Sequence, residues 1–221
     1  VKWSWLALAG CNQILGIDHT SLERPDARPD APPCLMPAIY DTFDTAPPCS
    51  AWGYATQDTS GTTVAVAGGE LVIAPAPNVQ NTFGGCAPNG DIAFDADSGV
   101  FVEVDSPPDG SEYMHLHVDW SGSASVSLIG FAVGSVVYVR DNVKYGTATF
   151  DPAQPIWGRM HPLRDGSAIV AETSPDGMYW TQFASDPVAP PTMIKVGLIG
   201  GTFFAEPSPA AIRFAAFDIC P

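Results

Sequence analysis

The sequence predicts an all-β fold, a sandwich or barrel of short antiparallel strands. Three observations predict it. From residue 38 onward, segments that alternate apolar and polar side chains recur about every ten residues, the two-residue period of a half-buried strand. The 22 prolines and 21 glycines are spread between those segments, where turns are needed. No stretch sustains a helical period with caps. A chain of 221 residues, 46% hydrophobic and 15% charged, is long enough for one domain with its own core and too apolar for disorder.

The chain opens with VKWSWLALAG (1–10): a charge at Lys2, an apolar run, then small residues, the order of a bacterial secretion signal. Leu8-Ala9-Gly10-Cys11 is similar to the lipobox of bacterial lipoproteins. That resemblance implies cleavage just before Cys11 and a diacylglyceryl group on its thiol. Ala9 and Gly10 are small enough for a peptidase to close around the backbone. Ten residues is short for a signal, which runs ~15–30, so Val1 is either an alternative start or preceded by further chain. The alternative is a buried strand over residues 3–9. A spanning helix needs ~20 apolar residues, and Asn12 and Gln13 interrupt this run.

Residues 11–33 are expected to be a tether. Arg-Pro-Asp-Ala occurs twice at 24–31, followed by Pro32 and Pro33, and repeated proline favours extended backbone. At ~3.1 Å per residue, such a segment reaches roughly 70 Å. Asn12, where the lipoprotein resemblance associates Asp with inner-membrane retention, points to an outer membrane or cell surface. The formal charge of −15 repels phosphate backbones, so nucleic acid is excluded as a partner.

With Cys11 lipidated, Cys34, Cys49, Cys86 and Cys220 remain. An even number in an exported chain implies two disulfides with three possible pairings. Cys34–Cys220 with Cys49–Cys86 is the expected set: the first clamps the domain's ends, the second closes a long early loop. Each adds roughly 4 kcal/mol in the chain-entropy account. Zinc finds no close cysteine spacing.

The strand candidates follow in order: TTVAVA (62–67), GELVIA (69–74), GVFVEVD (99–105), EYMHLHVDW (112–120), SVSLIGF (125–131) and SVVYVRD (135–141). SAIVAET (167–173), MYWTQFA (178–184), IKVGLIG (194–200) and AIRFAAFDI (211–219) complete the set. Their number suits two packed antiparallel sheets.

IWGRMHPLRDGSAIVAETSPDGMYWTQFAS (156–185) resembles the concanavalin A-like (LamG/glucanase) superfamily, through Trp157, Arg159, Ser174, Asp176, Gly177 and Trp180. DTFD with Trp52, GGELVIAP and the closing FAAFDI also resemble it. Pro175 fixes φ, Asp176 bonds nearby backbone and Gly177 supplies positive φ, which together make a tight hairpin. The resemblance implies a two-sheet jelly-roll sandwich over residues 34–221 in which first and last strands are neighbours, in keeping with Cys34–Cys220.

Glucanase relatives carry three carboxylates on one strand. Here only Glu103 and Asp105 answer, and Pro107-Pro108 ends the strand, so both are read as a solvated strand face. No Gly-x-Ser-x-Gly element is present. EYMHLHVDW is the most suggestive strand. Met114, Leu116, Val118 and Trp120 fall on its core face; Tyr113, His115, His117 and Asp119 fall on the other. His115, His117 and Asp119 are candidate metal ligands, against an ordinary polar face. Asp95 and Asp97, with Gly99, resemble a calcium loop lacking its later ligands.

Sugar recognition combines aromatic rings with planar hydrogen-bonding groups. Tyr113, His115, His117, Trp157, Arg159 and His161 supply both, provided they share a face. The expected protein is therefore a membrane-anchored, extracytoplasmic binding module, for carbohydrate, needing no cofactor and with calcium possible. A diverged glycoside hydrolase or lyase, and a protein-interaction or structural envelope module, are the alternatives.

Overall fold

The computed structural model describes residues 39–44, 48–49, 55–57, 61–87, 90–96, 98–105 and 112–220. The expected signal (1–10), Cys11, the tether (11–33), Cys34 and Asp97 lie outside the described residues. The described residues form strands and no helix. In chain order the strands are β1 (Ile39–Asp41), β2 (Ala55–Gln57), β3 (Thr63–Val66), β4 (Leu71–Ala74), β5 (Thr82–Cys86) and β6 (Ile92–Ala93). Then come β7 (Gly99–Val104), β8 (Glu112–Trp120), β9 (Val126–Ala132), β10 (Ser135–Arg140), β11 (Val143–Thr149) and β12 (Ile156–Pro162). The last are β13 (Ile169–Ser174), β14 (Thr181–Asp186), β15 (Met193–Thr202), β16 (Ile212–Phe214) and β17 (Ala216–Cys220).

Two large antiparallel sheets face each other. One is six-stranded, in the order β1-β17-β7-β12-β13-β14. The other is eight-stranded, in the order β11-β10-β9-β8-β15-β5-β2 with β6 beside β15. Alternation explains the filling between them. Val100, Val102 and Val104 of β7 and Met160 of β12 meet Met114, Leu116 and Val118 of β8 and Ile129 and Phe131 of β9 in one core. At the contact, a Cβ on Gly158 would lie 2.7 Å from Phe131 Cζ, so glycine there sets how closely the sheets approach.

A third sheet of three strands, β16-β4-β3, was not expected. It arises because 211–219 is two strands rather than one. β16 pairs with β4. The chain then crosses at Ala215, whose N–H donates to the Glu103 carbonyl at 2.9 Å, and β17 pairs with β7. Leu71, Ile73 and Ile212 of this small sheet are buried in the main core.

The first described strand is indeed the neighbour of the last: β1 pairs with β17 through Ile39–Ile219 and Tyr40–Asp218. Cys220 is disulfide-bonded. Cys49 pairs with Cys86 at a Cα separation of 5.4 Å. The expected hairpin at 175–180 forms as its residues dictate. Gly177 has φ of +71°, and Asp176 Oδ1 accepts from the N–H groups of Met178 at 2.9 Å and Tyr179 at 3.0 Å. Because those N–H groups are used in the turn, β14 starts at Thr181 rather than at Met178.

Candidate functional site: the outer face of the eight-stranded sheet

β8 is flanked by β15 and β9 on either side. Its even positions are buried in the core, so Tyr113, His115, His117 and Asp119 share the outer face. They carry a continuous row of rings. Tyr113 and His115 are 4.7 Å apart between centroids, and His115 and His117 are 5.4 Å apart. The row extends beyond the strand to Phe203, 5.7 Å from Tyr113, and on to Phe83, 4.8 Å from Phe203. Gly201 makes the extension possible: a Cβ there would lie 2.5 Å from Phe83 Cδ1. Phe203 is 52% exposed and next to it Phe204 is 61% exposed.

The polar groups of this face are set by burial. His115 is only 6% exposed. Burial first, and the neighbouring His117 second, push its imidazole down to about 3, so it is neutral at ordinary pH. His117 Nε2 and Asp119 Oδ1 are 3.0 Å apart. The Nδ1 atoms of His115 and His117 are buried and make no hydrogen bond to a described residue. Unsatisfied buried ring nitrogens are uncommon in a purely structural setting. Burial also raises the Tyr113 phenol, which therefore remains a hydrogen-bond donor.

Trp157, Arg159 and His161 do not join this face. They do alternate onto one side of β12, but that side is the outer face of the six-stranded sheet, across the core from β8. Trp157 belongs to a separate buried cluster with Phe101, Ala216 and Cys220, against which Trp180 packs. The Arg159 guanidinium lies 4.2 Å from the Trp180 ring centre and pairs with Glu172, which His161 Nε2 also contacts at 3.0 Å. These partners consume the groups assigned to sugar recognition. The expected six-residue constellation is thus two sets on opposite faces, and the second set locks the hairpin: Gly177 sits against the Trp157 indole.

One further expectation changes. Glu103 is 9% exposed rather than solvated, because its face of β7 is covered by the same cluster; Asp105 just beyond the strand is exposed. Among the described residues, no group of three or more His, Cys, Asp or Glu side chains is arranged to hold a metal ion. His115, His117 and Asp119 do lie in sequence along one face, but Asp119 takes His117 as its partner and His115 is enclosed. Asp95 closes a turn with Ser98, whose hydroxyl receives the Asp95 N–H at 2.8 Å and lies 3.1 Å from its Oδ1. Phe83 and Phe203, by contrast, went unnoticed in the sequence, since only strand pairing brings them to Tyr113.

No protein-family model and no curated protein matches the chain. Solved structures do. The β-glucanase of Bacillus licheniformis superposes with a TM-score of 0.61 at 10% identity, covering 85% of this chain and 100% of that one. The metal-free carbohydrate recognition domain of Emp46p gives 0.58 at 11% identity, over 81% of this chain and 93% of that one. The GH43 protein BlXynB of Bacillus licheniformis gives 0.58 at 13% identity, over 82% of this chain. This chain spans only 39% of BlXynB's length. At such identities the likeness is one of fold, and that fold is the concanavalin A-like jelly-roll sandwich.

Proposed function

We propose that the domain is a carbohydrate-binding module that takes a neutral glycan along the outer face of β8. One observation carries the reading: the row Phe83–Phe203–Tyr113–His115–His117, whose steps of 4.7 to 5.7 Å are close to the length of a pyranose unit. Apolar sugar faces pack on the exposed rings, and the His117 imidazole, the Tyr113 phenol and Asp119 give and accept hydrogen bonds at the hydroxyls, while the enclosed His115 packs between its two neighbours. A net charge of −15 disfavours acidic polysaccharides. That the fold neighbours include a β-glucanase and a carbohydrate recognition domain is in keeping with this reading.

The same proposal places the module outside the cytoplasm, held to a membrane through lipid on Cys11 with residues 12–33 as spacer. The Cys49–Cys86 disulfide suits an oxidising compartment. Mass spectrometry of the mature protein tests the anchor, and an unmodified Cys11 thiol contradicts it. For binding, a glycan array is the direct experiment. Saturable binding that His117→Ala weakens supports the module. Silence on every neutral glycan overturns it, as does release of reducing sugar from polysaccharide by the purified domain.

A further inference from the structure

At the Asp119 end of the ring row, β8 turns into a hairpin and a cleft of about 240 Å³ opens, lined by Asp119, Trp120, Lys195 and hairpin residues 121–126. We infer that this cleft is the subsite for the terminal unit of a neutral glycan, so that the module grips chain ends rather than chain interiors. The inference rests on the carbohydrate-binding reading above and adds to it a position, a polarity and a specificity.

Continuity comes first. Asp119 belongs to both places: His117 Nε2 contacts its Oδ1 at 3.0 Å, while across the strand pair it stands opposite Lys195. A glycan lying on the ring row therefore reaches the cleft without leaving the sheet. The hairpin behind it is tied on every side. Trp120 N–H donates to the Ser125 carbonyl at 3.0 Å, Ser123 N–H to the Trp120 carbonyl at 3.1 Å and Ser121 N–H to the Met193 carbonyl at 3.0 Å. Val126 N–H donates to Asp141 Oδ1 at 2.9 Å. A wall so bonded is built before any ligand arrives.

Size and polarity then select the occupant. Sites that enclose drug-sized molecules run roughly 300–1,000 Å³; a cleft of about 240 Å³ has room for one sugar ring. The hairpin hydroxyls have already committed their protons. Ser121 Oγ donates to Asp91 Oδ1 at 2.7 Å and Ser123 Oγ to the Trp120 carbonyl at 3.3 Å. Ser123 Oγ also accepts from the Ser125 N–H at 3.1 Å, which leaves the Ser121 hydroxyl oxygen and the Asp119 carboxylate as the acceptors among the cleft's side chains. Lys195, whose ammonium has no ion pair or hydrogen bond among the described residues, is the cationic donor. An acceptor-rich cleft with one donor asks for several hydroxyl protons and one ring or glycosidic oxygen. A uronate or sulfate would instead meet the Asp119 carboxylate. A non-acidic terminal sugar fits.

The test uses the full chain and neutral oligosaccharides of one linkage and increasing length, compared per chain by calorimetry, with the parent polysaccharide as competitor. Affinity per chain is expected to level off once the ring row is spanned, and the polymer, with few ends, is expected to compete poorly by mass. Lys195→Met removes the cationic donor and is expected to weaken binding about tenfold. Ala124→Phe, on the exposed hairpin, fills the cleft and is expected to do the same without touching the rings. Thermal melting confirms that both variants fold, and the length series on the unaltered protein needs no variant. Affinity per chain that rises steadily with length, or variants that bind as the unaltered protein does, overturns the chain-end inference and leaves the ring-row reading standing. Absence of binding to any neutral oligosaccharide overturns both.

Discussion

Replacing Arg140 with methionine tests how the two large sheets are joined. Asp186, at the end of β14 in the six-stranded sheet, is 0% exposed. Arg140, from β10 in the eight-stranded sheet, reaches it with Nε and with Nη2, the latter at 3.1 Å. The Tyr138 hydroxyl adds a hydrogen bond at 3.3 Å, and burial holds that phenol well above its usual range. The guanidinium also lies over the Trp120 and Tyr145 rings, 5.4 and 5.3 Å from their centres. Without it, the buried Asp186 carboxyl is left, among the described residues, with one side-chain partner, the Tyr138 hydroxyl.

Breaking a buried pair from one side costs about 3–5 kcal/mol. Because Arg140 retains 18% side-chain exposure, the lower end applies, about 3 kcal/mol. In a chain of this size that is a fall in Tm of roughly 6–12 °C. Calorimetric melts at neutral pH of Arg140→Met and of the double variant Arg140→Met with Asp186→Leu give the assay. The double variant is expected to recover most of the loss, since no charge is left stranded. A loss under about 1 kcal/mol for Arg140→Met, the range of an exposed pair, refutes the reasoning.

The remaining predictions concern packing and pH. Gly158→Val forces a side chain against Phe131, and overpacking of this kind costs about 1–3 kcal/mol, read from the midpoint of urea unfolding. The imidazole of His115, held down to about 3, is expected to show no NMR titration between pH 5 and 8, about the window in which an ordinary histidine charges. Since its folded value is depressed, the stability it contributes is present above its unfolded value, about 6.5, and is lost as the pH falls towards 3. His115→Phe should flatten that acid limb. Burial raises Asp218 to about 7. Its contribution is present below the ordinary carboxylate value and lost as the pH rises through about 7. Asp218→Asn should therefore gain stability relative to the parent as the pH is raised across that window, measured by melting at a series of pH values.

Much of the architecture was legible because alternation survives undisturbed in strands such as β8, whose bounds match the expected 112–120. Strands β5 and β11 escaped notice where glycine replaces the expected branched residues. Their glycines answer to neighbours remote in sequence. A Cβ on Gly85 would lie 1.9 Å from the Leu198 carbonyl oxygen, and one on Gly146 would lie 2.2 Å from that of Phe183. Period two says which residues of a strand share a side; it does not say which sheet the strand joins. That is why Trp157 and His117 looked compatible in the sequence and stand on opposite faces in the fold. Phe203 and Lys195 were hidden for the same reason, because their place beside β8 is a property of the β8–β15 register.

Binding along the outer face of β8 is tested most directly by NMR titration of the isotopically labelled protein with a neutral glycan selected from the array. The imidazole signals of His115 and His117 and the ring signals of Tyr113 and Phe203 are expected to shift together and saturably, while the indole N–H signals of Trp157 and Trp180 stay still. Shifts confined to Trp157, Trp180 and Arg159 would place recognition on the six-stranded sheet and contradict the account.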